Sequence, residues 1–67
     1  MKVNSYNFEQ YGCVFFHAIA TSEQHAIELA NEAGFDIDGL DIELERENVR
    51  DELGRAYAPK IEKALVY

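Results

Sequence analysis

The chain has one cysteine, one proline and no tryptophan, and only six basic residues stand against thirteen acidic ones. Each scarcity excludes something. A lone Cys13 cannot close an intramolecular disulfide, which removes the covalent framework of small secreted domains and makes a reducing cytoplasm the expected setting. The apolar run from Cys13 to Phe16 is far too short to cross a bilayer, and the first ten residues interrupt any leader-like stretch with Asn4, Ser5 and Asn7. A formal charge of -7 opposes direct binding to nucleic acid or to an anionic membrane. Motifs of catalysis are missing too. There is no glycine-rich phosphate loop, no serine elbow and no zinc-ligand pair, and His17 and His25 belong to no metal or triad spacing. Cys13 and His17 share a strand face at about 13 Å, too far for a thiolate and an imidazole to touch. Neither an enzyme nor a cofactor or metal requirement is expected.

What is present is ordinary for a folded domain: 67 residues, 48% apolar and 28% charged. A chain of this length hides only about 60% of its unfolded surface on folding. Residues 1–67 therefore form one small domain, which must rely on a well-packed core or on self-association, so a homodimer stays open.

Hydrophobic periodicity sets out the elements. Residues 2–8 place Tyr6 and Phe8 on one strand face and Ser5 and Asn7 on the other. Residues 9–12 read as a hairpin connection, and Cys13 to Ala20, apolar on both faces, reads as a central strand. Phe15 and Phe16 point to opposite faces of a regular strand, so one of them needs cover from outside the helix layer. Thr21-Ser22-Glu23-Gln24 fits a capping box with Thr21 as the cap. The helix that follows spans about 22–33, carries Ala26, Ile27, Ala30 and Ala33, and closes at Gly34 and Phe35. Leu40, Ile42 and Leu44 alternate with Asp41, Glu43 and Glu45, a strand with one buried face. Asn48 caps a short helix with Val49 and Leu53 that stops at Gly54, and Pro59 opens a last helix with Ile61, Ala64 and Leu65. The expected fold is a two-layer α+β domain of order β-β-α-β-α. Its three-stranded sheet is covered on one face by helices, with the third strand parallel to the second or one strand away.

Charge is concentrated in the middle. From Glu23 to Glu47 nine carboxylates face a single Arg46, while residues 1–22 are neutral and residues 48–67 carry +1. Asp41, Glu43 and Glu45 follow one another on one strand face at about 6.6 to 6.8 Å, in line with Asp36, Asp38 and Glu47. A fixed anionic row resembles a nucleic-acid backbone in sign and extension, and it attracts Arg and Lys clusters on a protein that handles nucleic acid. The competing reading is a solvated surface that keeps the chain soluble. Asp36, Asp38 and Glu47 also match positions 1, 3 and 12 of a calcium loop, but Asp41 stands where that loop needs glycine and Leu40 where it needs a ligand.

Tyr6, Tyr11, Tyr57 and Tyr67 with Phe8 and Phe16 make a heavy aromatic load, serving either the core and its rim or an interface. Small, acidic, motif-free domains are a form often taken by inhibitors from phages and mobile elements, anti-CRISPR and anti-restriction proteins among them. The expected function is that of a stoichiometric inhibitor, with Asp36, Asp38, Asp41, Glu43, Glu45 and Glu47 entering a partner's basic groove. The alternative is a homodimeric regulatory or structural module, antitoxin-like modules included, whose acidity serves only solubility.

Overall fold

The computed structural model describes residues 2–63. Strand β1 (Asn4–Gln10) turns into β2 (Cys13–Ala20) through Tyr11 and Gly12, whose φ angles are 52° and 78°. Two successive left-handed residues give the turn the twist that paired strands need, and glycine takes that conformation freely where tyrosine does not. Helix α1 (Glu23–Glu32) follows, then β3 (Asp41–Arg46) and β4 (Lys60–Lys63).

These strands form one four-stranded sheet in the order β3-β1-β2-β4, and every neighbouring pair is antiparallel. The expectation of three strands under a layer of helices is overturned: the sheet has four strands and α1 is the single helix among the described residues. Strand β3 pairs with β1, so β1 lies between β2 and β3. The segment expected as a last helix is β4, in which Ile61 pairs with Ala18 and joins the core between exposed Lys60 and Glu62. Pro59 suits the entry to a strand as well as the start of a helix. Ala64 and Leu65 lie outside the described residues, as does Tyr67.

The short helix expected after Asn48 is a turn organised by Asp51. Its Oδ1 accepts from the backbone N–H groups of Leu53 at 2.9 Å and Arg55 at 3.0 Å, and its Oδ2 accepts from Arg55 Nε at 3.1 Å. Side-chain acceptance of this kind competes with helical bonding. Leu53, expected on that short helix, is 76% exposed.

Helix α1 has the expected extent with a different cap. Ser22, not Thr21, accepts from His25 N–H, while Thr21 donates its own N–H to His25 Nδ1. At the other end Gly34 N–H bonds to Asn31 O and Phe35 N–H to Ala30 O, the paired closure that a glycine at φ 85° permits. That closure drives Phe35 onto the sheet. Phe8 and Phe16 stack at 4.5 Å between ring centroids, and Phe16 and Phe35 at 4.4 Å. Ala26 and Ala30 are the helix's buried residues, and Leu29 rather than Ile27 packs against the cluster they complete. The alanines let the helix approach the sheet closely, leaving the volume to the stacked rings.

Phe15 escapes the two-face problem through a register shift: Phe16 pairs with Phe8 and Val14 with Glu9, which leaves Phe15 unpaired and partly exposed. A second, smaller core forms from Val3, Ile19 and Val49 with Ala56 against them. Val49 N–H reaches Val3 O at 2.9 Å, tying the turn after β3 to the start of the chain. No helix among the described residues is long and apolar enough to cross a membrane.

Candidate functional site

The strands alternate, so the sheet face turned away from the Phe8, Phe16 and Phe35 stack receives every second side chain. It takes Ser5, Asn7 and Glu9 from β1, His17 and Ile19 from β2, Asp41 and Glu43 from β3, and Lys60 and Glu62 from β4. Direct pairings bring these groups together: Glu9 lies opposite Asp41, Asn7 opposite both Glu43 and His17, and His17 opposite Glu62. Alternation along β3 brings Glu45 to the same face, where its Oε2 accepts from Ser5 Oγ at 2.7 Å although a register shift pairs Ser5 with Arg46.

The resulting site is a band of carboxylates around one imidazole. His17 Nδ1 lies 2.6 Å from Asn7 Oδ1 and 3.5 Å from Glu45 Oε2; since the amide oxygen only accepts, the ring donates from Nδ1. Glu9 is held above the usual carboxylate range, first because neighbouring groups strip water from it, then because Glu43 adds a negative charge and a shared hydrogen bond, with Asp41 adding further charge. Glu62 has a cation beside it, Lys60 Nζ at 2.8 Å, and that ammonium also sits 5.5 Å from the Tyr57 ring centre.

The sequence-derived row divides. Asp41, Glu43 and Glu45 lie on β3 and share the open face, Glu45 tied down by Ser5. Asp36 and Asp38 precede the strand in a loop where Asp36 Oδ1 accepts from Asp38 N–H at 3.1 Å, a local turn that leads to Gly39 at φ 80°. Glu47 follows the strand and is exposed. Glu9, His17 and Glu62 were missed as members of the site. The expected turn over residues 9–12 takes in Glu9, whereas β1 runs on to Gln10 because Tyr11 and Gly12 alone make the reversal.

Among the described residues no group of three or more His, Cys, Asp or Glu side chains is arranged to hold a metal ion. A hollow lined by Ser5, Ile19, Glu45, Arg46 and Val49 measures about 150 Å³, well below the roughly 300 Å³ at which pockets begin to enclose small molecules. Ser5 is buried with its hydroxyl proton directed at Glu45. The face thus offers a broad, sheet-backed anionic surface. Comparison of the chain with protein-family models, with curated proteins and with solved structures returns no match.

Proposed function

We propose that the protein is a non-enzymatic binding protein whose acidic sheet face occupies a basic groove of a protein that handles nucleic acid, in the manner of the anti-defence inhibitors of phages and mobile elements. The observation that carries this reading is the gathering of Glu9, Asp41, Glu43 and Glu45 from two strands onto one face. Like charges set directly opposite across a ladder are destabilising. Solubility needs the same charges only somewhere on the surface, and dispersing them avoids that cost. Concentrated on a rigid face, they speed encounter with a cationic surface and select against acidic partners.

The test is affinity capture from the source cell with the natural protein and with a variant carrying Glu9→Gln, Asp41→Asn and Glu43→Gln. These changes remove charge and keep shape, and they leave Glu45 in place for buried Ser5. The natural protein is expected to retain a stoichiometric partner that excess duplex DNA or RNA releases. The variant is expected to fold and to lose that partner. A partner held equally by both would make the acidic face a solubility surface.

A further inference from the structure

Strand β3 is an edge of the sheet, paired on one side with β1, and among the described residues no backbone bond from another segment reaches its outer side. Every second residue of such a strand directs its N–H and C=O outward, a ready template for one more strand. The two faces of this edge differ sharply. Asp41, Glu43 and Glu45 line one face, while Ile42 and Leu44 line the other, and Leu44 at the rim of the core is 46% exposed. From these features we infer that β3 is a docking edge for an extended segment of a partner protein with alternating basic and apolar residues, added to the sheet as a fifth strand.

The chemistry selects this occupant over a second copy of the chain. An added strand meets the carboxylates with alternate side chains on one face and covers Leu44 with the intervening ones on the other. Two copies of β3 paired about a two-fold axis with their carboxylate faces on the same side would set one carboxylate of the row against another, Glu43 against Glu43 or against Glu45. Lysine or arginine at those positions turns the repulsion into attraction. The inference takes the partner's charge from the acidic-face reading and adds backbone pairing, which a purely electrostatic contact does not need.

That addition is what the experiment isolates. Three capped peptides are titrated into the isotope-labelled protein: alternating lysine and valine; the same residues in two blocks; and the alternating sequence with every second backbone nitrogen methylated. The alternating peptide is expected to bind, to slow hydrogen exchange at alternate β3 amides and to exceed both controls by at least roughly tenfold, since the controls lose the face pattern or several backbone bonds. Equal binding of all three would overturn the docking edge and leave the acidic-face reading standing. Binding by none would also overturn the edge, and the capture experiment would then judge the acidic face separately. Sedimentation of the free protein supplies the remaining outcome: a dimer with β3 amides already protected would give the edge to a second copy and overturn the inference.

Discussion

Glu9 and Asp41 occupy directly opposed positions on neighbouring strands, with Glu43 one step along the same face adding its negative charge beside Glu9. The arrangement disfavours the ionised form of Glu9, so the folded state holds its proton more tightly than the unfolded chain does. Where the folded state binds more protons, stability falls as pH rises. The natural protein should therefore gain stability as pH drops from neutrality toward the ordinary glutamate range near about 4.3. Glu9→Gln should unfold at a higher temperature than the natural protein at pH 7, and the difference should shrink as pH falls through that window. Thermal midpoints measured across it check the sign; a midpoint lowered by Glu9→Gln at pH 7 would refute the account.

Phe16 carries the main core, stacked between Phe8 and Phe35 and 2% exposed. Phe16→Ala should cost about 3 to 5 kcal/mol, a large part of what so small a domain has to lose. Leu53→Ala should change stability by less than about 0.5 kcal/mol, because that side chain lies in solvent. Urea titration of both variants distinguishes the turn seen at 48–54 from a packed helix, in which Leu53 would also be expensive to truncate.

Gly34 has open space around the position a Cβ would take, yet its φ of 85° belongs to the left-handed region. Gly34→Ala should cost about 1 to 2 kcal/mol from backbone strain alone. Ser22→Ala should cost about 1 kcal/mol through loss of the cap bond to His25 N–H. Denaturant midpoints for the two single variants and their combination should add, since the sites sit at opposite ends of α1.

Asp51 is held below the usual aspartate range, above all by the Arg55 backbone N–H, then by the Leu53 N–H and the Arg55 side chain. A carboxyl whose folded value is depressed contributes stability above its unfolded value and loses it as pH falls through the folded one. Acidification below about 3.9 should therefore loosen the 51–55 turn first. Amide exchange at Leu53 and Arg55 should rise with acid beyond the intrinsic trend in the natural protein. Asp51→Asn should show that rapid exchange at every pH.

Helix α1 was legible because its signals are local: the alanines at helical spacing and the Gly34–Phe35 closure need no knowledge of the rest of the chain. The alternation of β3 was equally plain, and with it the common face of Asp41, Glu43 and Glu45. Strand β4 was not, since in a strand of only four residues Ile61 between exposed Lys60 and Glu62 makes too short an alternation to detect. The segment from Asn48 to Gly54 misled for another reason. A cap residue, apolar positions and a terminal glycine fit a helix and a turn alike, and the choice falls to Asp51 bonding within the segment and to Val49 reaching Val3. The site needed long-range pairing as well. Only once β3 lies beside β1 does Glu9 meet Asp41 and does Glu45 reach Ser5.

The hairpin of β1 and β2 also has a kinetic meaning. Its two-residue reversal joins strands that are neighbours in sequence, and both of its outer sides then receive strands from beyond α1. Local closure is fast and distant pairing slow, which makes the hairpin the natural nucleus and the two flanking strands late arrivals. Repulsion between Glu9 and Asp41 is then absent from the early barrier and belongs to the last stage of assembly. It should hasten the departure of β3 far more than it delays the formation of the hairpin, so that the acidic strand is the first to open in a protein whose aromatic stack is still closed.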